Sequence, residues 1–331
     1  MTENMDNAAN ESQESLAFQE QEITQAGEIP QQEIPQELSQ ERKTSPERDV
    51  VALREAVFRR TPSRRHCLQQ ILRLLEPGER QDILDFVSDD ALSSALHAAA
   101  PDSVQWSSAA EDENRRDLLH AAGQSRVLEI NSPNWDHPAA SFDAAVVSNL
   151  LEFVVRPEDW MSQVHKVLRP KARLVLHVRR RKHSFTGMLR RWAGLNDPSR
   201  LPVRQGFSPA ELFDVIKDGF DVQETVVFGR FFSEFAELLA DLFAGMVPSS
   251  CETAARQSGR LKKANVVFAI FTPIFALASV LDAIFFFLPA HHMLVRAKRR
   301  LLWAPRITPR LRDGRSIAEA ALGSRIGLDI G

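Results

Sequence analysis

Glycine is scarce. The chain has 331 residues and 14 glycines, where average usage of about 7% would give roughly 23. None lies between Gly78 and Gly123, which excludes a Gly-rich phosphate cradle in that span. Cysteine is scarcer: Cys67 and Cys251 stand alone, too few for a disulfide framework, and no CxxC pair points to zinc. No metal site is expected. Tyrosine is absent while phenylalanine numbers 20, and nothing physical follows from that. GxxxxGK[ST], HExxH and GxSxG are missing too, which removes the P-loop, the zincin and the nucleophile elbow. The acidic N-terminal stretch has no apolar h-region, so a reducing, cytoplasmic setting is the expectation.

What is present reads as an ordinary globular composition, 44% apolar and 26% charged, in a length that suits one or two domains. The net charge of −3 hides an asymmetry. Residues 1–49 carry 12 acids and 3 bases, whereas Arg296–Arg315 holds eight bases against Asp313 alone. Residues 1–46, rich in Glu, Gln, Asn and Ser, bury too little apolar surface to offset ordering entropy and are read as a disordered tail. Its alternative role is an acidic interaction tail.

From Val50 onward, apolar runs alternate with helical patterns. Ile71, Leu72, Leu74 and Leu75 form a helix face ended by Pro77-Gly78. Strands are expected at 82–87, 103–106, 126–130, 143–148, 172–178 and 221–229. Helices are expected at 91–99, 110–121 and 157–168. Ser208, Pro209 and Glu211 spell a capping box, and His291–Lys298 reads as a last strand. Such alternation implies a mostly parallel sheet with helices on both faces.

Within this frame, residues 141–178 resemble the second half of class I S-adenosylmethionine-dependent methyltransferases of the type 11 group. Ser141-Phe142-Asp143 match the start of strand four, Leu150-Leu151-Glu152 the segment after it, and Val167-Leu168-Arg169-Pro170 the approach to strand five. Phe153 replaces a histidine of the family pattern, and Lys171-Ala172 replace two glycines at a turn. In the first motif, Ile83 to Ser93 keep the hydrophobic frame and Asp85 but none of the glycines. The resemblance implies an α/β fold: a seven-stranded, mostly parallel Rossmann-like sheet with helices on both faces and an apolar helical insert before the last strand. The domain would occupy 50–230, the insert 231–289, the last strand 290–300 and a basic, mostly irregular tail 301–331.

The same resemblance implies a cofactor, S-adenosyl-L-methionine, held by Asp85, Phe86, Ser88 and Asp89 after strand one, Ser107 at the end of strand two, and Asn131 and Ser132 after strand three. Asn149 falls where donor and acceptor would meet. His177 and His183 flank strand five, and His177 is the candidate general base. Asp and Asn tolerate left-handed backbone better than most residues, yet each added side chain fills space a ligand needs. Two readings stay open for the 86–90 loop: a carboxylate-lined seat for a cationic cofactor, or a vestigial loop with solvated acids.

Val266–Leu288 is the strongest remaining signal, 23 residues with one charge, Asp282, and one proline, Pro273. That length spans a bilayer. A last strand that returns to the sheet argues against a single crossing, so the expectation is a hairpin broken at Pro273 and lying in the membrane interface, with a transmembrane span at 266–288 as the less favoured reading. Phe185, Met188, Leu189 and Trp192 form a basic amphipathic stripe beside Arg179–Lys182 and Arg190–Arg191, of the membrane-surface kind. The alternative is a helical cap over the site. The functional expectation is methyl transfer to a hydrophobic or lipid-linked acceptor at an anionic membrane surface. That surface is reached through Phe185, Trp192, residues 231–289 and the bases of 296–315, with no nucleic acid as partner. A catalytically inactive, membrane-associated scaffold of the same fold is the rival.

Overall fold

The computed structural model describes residues 49–110, 116–117, 119–120, 124, 126–130, 135, 138–181, 185–195, 202–245, 254–285, 287–288 and 290–305, and every structural statement below concerns these. The expected tail 1–46, the site residues Asn131 and Ser132, His183, and residues 306–331 lie outside them.

Seven strands form one sheet in the order β3-β2-β1-β4-β5-β7-β6. Their bounds are β1 Asp82–Val87, β2 Gln105–Ala110, β3 Val127–Glu129, β4 Phe142–Ser148, β5 Leu168–Arg179, β6 Phe220–Phe228 and β7 His292–Arg299. β1 to β5 pair in parallel. β7 runs antiparallel to both neighbours, β5 and β6. Helix α1 (49–60) precedes α2 (Pro62–Leu75), α3 (Asp90–Ala99) follows β1, and α4 (Pro157–Val167) follows β4. Next come α5 (Phe185–Trp192), α6 (Pro209–Ile216), α7 (Phe231–Ala244) and α8 (Ala254–Ile284). The expected α/β architecture is present, apolar insert included.

Alternation along the strands divides the core in two. Leu84, Phe86, Val147 and Leu176 face α4 and α6, while Ile83, Val146, Val175 and Leu294 face α2 and α3. The capping box at α6 is as expected: Ser208 Oγ takes the Glu211 N–H, and Glu211 takes the Ser208 N–H. Two strand expectations need correction. β2 ends at Ala110, four residues beyond the expected Trp106. Serine and alanine are weak strand formers, but Ser107, Ser108, Ala109 and Ala110 are buried, and β1 and β3 hold them in register. The expected turn at Lys171-Ala172 is instead a bulge inside β5, where the register against β4 shifts between Phe142 and Ala144. Lys171 adopts φ 67° there, the left-handed conformation that glycine takes without strain.

The apolar insert is a hairpin, but its bend is not at Pro273. α8 runs 31 residues straight through Pro273, which lies on the exposed side. Thr272 Oγ1 and Ser279 Oγ bond the carbonyls of Phe268 and Phe275 four residues back. The turn falls between Ala244 and Ala254. α7 and α8 meet along a seam of Ala236, Ala240, Ala244, Ala264, Phe268, Phe275 and Ala278, joined by Val57 of α1. Asp282, the lone acid of the apolar run, is buried and accepts the N–H groups of Phe232 at 2.9 Å and Ser233 at 3.1 Å. It caps α7, whose own N-cap residue Arg230 supplies no side-chain bond, and so offsets two of the orphan donors of that helix.

Lys171 is exposed, so its substitution tests backbone strain alone. Lys171→Gly should raise stability by about 0.5–1 kcal/mol, seen as a melting temperature higher by roughly 2–4 °C; an unchanged or lower melting temperature means the bulge is relaxed with lysine in place.

Candidate active site

In an open α/β sheet, ligands bind outside the carboxyl ends of the strands where the order reverses. Here that crevice lies between β1 and β4. Ser88 and Asp89 alone separate β1 from α3. The Ser88 N–H bonds the Ser148 carbonyl at 3.2 Å, which draws the two strand ends together. Asp89 caps α3 by accepting the Ala91 N–H at 3.0 Å, and its other oxygen lies 3.8 Å from Arg64 Nη1. Across the crevice Asn149 takes φ 51°. Its N–H bonds the His177 carbonyl at 2.9 Å, and its side-chain Oδ1 is buried with no protein partner.

The expected site residues divide. Asp85 is fully buried, and its Oδ2 takes Ser93 Oγ at 2.5 Å, His97 Nε2 at 2.8 Å and Ser108 Oγ at 3.2 Å. It ties β1 to α3 and β2. Phe86 is corrected: its ring packs 5.1 Å from Trp135 and 4.9 Å from Trp160 in the core, so the side chain offers no ligand contact. Ser107 is corrected as well, because it lies buried in mid-strand rather than at the end of β2. The residue that follows β2 in the chain is Glu111. Ser88, Asp89 and Asn149 do converge at the crevice.

His177 is buried below the crevice. Its Nδ1 is 2.8 Å from Ser148 Oγ and 3.6 Å from Cys67 Sγ; its Nε2 is 3.1 Å from His292 Nδ1. His292 Nε2 in turn meets Glu234 Oε1 at 2.9 Å. Burial, then His292 and Arg179, hold the His177 ring well below the ordinary imidazole range. Burial acts upward on Glu234, but the His292 ring and Arg179 outweigh it and bring its pKa down to about 2. One turn along α7, burial and then the Glu234 charge push Glu237 up to about 7, where it accepts the Ser63 hydroxyl of α2. Glu152, from the matched Leu150-Leu151-Glu152 segment, is buried and accepts the Arg179 N–H at 2.7 Å; burial raises its pKa against that bond.

Ser148, Glu152, Glu234, Glu237 and His292 carry no sequence signal for these roles. The bases expected to face lipid at 296–300 are largely engaged inward. Arg296 is forked on Glu76 at 2.7 and 3.0 Å, and Arg299 and Arg300 bond the carbonyls of His165 and Asp218. Arg296 and Arg299 lie on β7 and Arg300 just after it, and all three are held by these bonds while staying partly exposed.

Glu237 gives a pH test. Unfolded, its carboxyl ionises near 4.3; folded, only near 7. Between these values the folded state binds the extra proton, so this group's contribution to stability falls as pH rises. Glu237→Gln should therefore melt higher than the wild type by a few degrees at pH 8, with the gap closing towards pH 5. A gap that does not vary with pH would contradict the upward shift.

Comparison with known proteins follows the geometry. Residues 58–222 match a family profile described as a methyltransferase domain. No curated protein matches the sequence. Among solved structures, the [4+2]-cyclase SpnF is similar at 14% identity and a TM-score of 0.46, over 72% of this chain and 82% of that one. Coclaurine N-methyltransferase is similar at 10% identity and TM-score 0.45, over 70% and 72%. The N-methyltransferase NodS from Bradyrhizobium japonicum WM9 is similar at 13% identity and TM-score 0.40, over 72% and 88%.

Proposed function

Since residues 58–222 belong to the methyltransferase domain family and carry most of a seven-stranded sheet that β7 completes, we propose that the protein is an S-adenosylmethionine-dependent methyltransferase that works at a membrane surface on a hydrophobic or lipid-linked acceptor. The observation that carries this reading is the outer face of α8. Ile270 and Leu277 are 66 and 61% exposed, Val266, Ile274, Val280 and Ile284 continue the same stripe, and Phe287 is exposed just beyond the end of the helix. An unbroken apolar face of this length on a soluble domain marks an interaction surface.

The fold argues for a helix lying in the interface. α8 is long and apolar enough to cross a bilayer, but α7 and β7 return both of its ends to the sheet side. The arm's far end carries the exposed Lys262 and Lys263, and hydrocarbon would not accept that end. Basic residues beside an apolar helix face suit an anionic lipid surface, each contributing about 1 kcal/mol. Leu242 and Phe243 on α7 and Met188 and Trp192 on α5, all exposed, extend the apolar surface toward the segments that follow β5 and β6.

The crevice lacks glycine, and its Ser88 N–H is already bonded to the Ser148 carbonyl. It does fit a cationic donor. The Asp89 carboxylate and the unpartnered Asn149 Oδ1 are acceptors for an ammonium or sulfonium end. When bound, the donor supplies a methyl group on sulfur, a good leaving group, so positioning accounts for much of the rate.

Two measurements test the reading. Calorimetric titration of the full chain with S-adenosylmethionine should give saturable heat that Asn149→Ala weakens about tenfold or more; no heat at all would leave a scaffold instead of an enzyme. Flotation with phosphatidylglycerol vesicles should carry the wild type, and Ile270→Glu with Leu277→Glu should cut the bound fraction at least tenfold. Equal flotation of both proteins would sink the membrane assignment.

A further inference from the structure

Four side chains from four elements join into one hydrogen-bonded line: Ser148 at the end of β4, His177 on β5, His292 at the start of β7 and Glu234 on α7, at 2.8, 3.1 and 2.9 Å. We propose that this line is a proton relay, which takes the methyl acceptor's proton at Ser148 Oγ and deposits it on the His292–Glu234 pair of the insert. The proposal rests on the methyl-transfer reading and assigns that site its proton path.

The order of protons follows from which atoms accept. Ionised Glu234 only accepts, so His292 Nε2 carries a proton toward it. With His292 neutral, its Nδ1 lone pair takes the His177 Nε2–H. That leaves His177 Nδ1 bare, and it takes the Ser148 hydroxyl proton. Every donor points toward Glu234. If His292 gains a second proton at Nδ1, the order beyond it reverses: His292 Nδ1–H donates to His177 Nε2, and His177 Nδ1–H donates to Ser148 Oγ. His177 is neutral in both arrangements and changes only its tautomer. A buried ring that resists charge therefore transmits a proton without becoming charged. That resolves the conflict between the expected general base and its burial.

The step balances. As the acceptor's new bond to the methyl carbon forms and the carbon–sulfur bond of the sulfonium donor breaks, the acceptor's proton goes to Ser148 Oγ. Ser148's own proton goes to His177 Nδ1, and the His177 Nε2 proton goes to His292 Nδ1. The donor leaves as a neutral thioether, and the positive charge rests on His292 beside the Glu234 carboxylate. His292 is faced by His177 and Arg179 of β5, Glu234 of α7, Glu152 of the segment after β4 and the adjacent His291. Cys67 of α2 faces His177 Nδ1; burial and the Asp89 charge push its thiol strongly up, so it keeps its own proton and does not drain the line.

Tautomers are read directly by long-range proton–nitrogen NMR of the full chain labelled with ¹⁵N-histidine, titrated from pH 9 to pH 5 without donor or acceptor. The expected result is His177 neutral throughout, Nε2–H at high pH and Nδ1–H once His292 is charged, with the two changes at one midpoint. Glu234→Gln, which removes the carboxylate 2.9 Å from His292 Nε2, should move that midpoint to lower pH; if that variant does not fold, the wild-type titration decides by itself. A His177 tautomer that stays fixed while His292 titrates, or a His177 ring that itself becomes charged, overturns the relay. Either result leaves the methyl-transfer reading standing, whereas a failed donor titration removes that reading without touching the NMR outcome.

Discussion

The pairing of β7 between β5 and β6 is the constraint on which the rest depends. Those antiparallel ladders run from His292 to Arg299 against both neighbours. They require that whatever leaves the sheet after β6 come back to the same edge. The insert α7–α8 is thereby an excursion with both ends fixed. Its apolar length packs on α7 along one side and is exposed along the other, and by composition alone it qualifies to cross a bilayer. The same pairing delivers His292 next to His177, because the first residue of an antiparallel strand lies at the carboxyl edge of its parallel neighbours. One topological choice thus sets both the outward apolar face and the inward line of titratable groups.

Glycine scarcity has a different meaning once the backbone is known. Residues other than glycine occupy several positive-φ positions. Lys171 holds the bulge in β5 and Asn149 turns the chain after β4, at φ 67° and 51°. Asparagine is suited to that region and lysine is not, so the two positions differ in strain. The loop after β1 solves its problem another way. Ser88 donates its N–H across to the Ser148 carbonyl and Asp89 accepts the Ala91 N–H at the start of α3, so both residues of the short connection are tied to the protein itself.

Much of this was legible in the sequence, and the boundary of legibility is physical. Alternation and period fixed the strands whose apolar residues are large, and the capping box at Ser208–Glu211 was plain. β2 was misplaced by four residues because Ser107 to Ala110 carry small side chains, which strand formation tolerates only under cover from β1 and β3. The site was half legible. Ser88, Asp89 and Asn149 sit at strand ends that the pattern located. Glu234, Glu237, Asp282 and His292 were not legible, since their partners lie 49 or more residues away. The partners of Asp282, the Phe232 and Ser233 N–H groups, are backbone atoms that any residue would supply.

The insert inverts the usual distribution of apolar and polar surface. Its contacts with the domain are polar in good part: Glu234 on His292, Glu237 on Ser63, and Arg190 on Asp241. Its internal seam is alanine and phenylalanine, and its outer face is Ile, Leu, Val and Phe. Buried carboxylates stay only where hydrogen bonds offset their desolvation, so the acids on α7 hold that helix to one seat rather than let it slide along the core. An apolar outer face would, in water, favour collapse onto any nearby surface. Geometrically demanding polar bonds on one side hold the insert in one orientation, while the apolar face on the other stays exposed, so an interaction on the outer face leaves the distances from Glu234 to Ser148 unchanged.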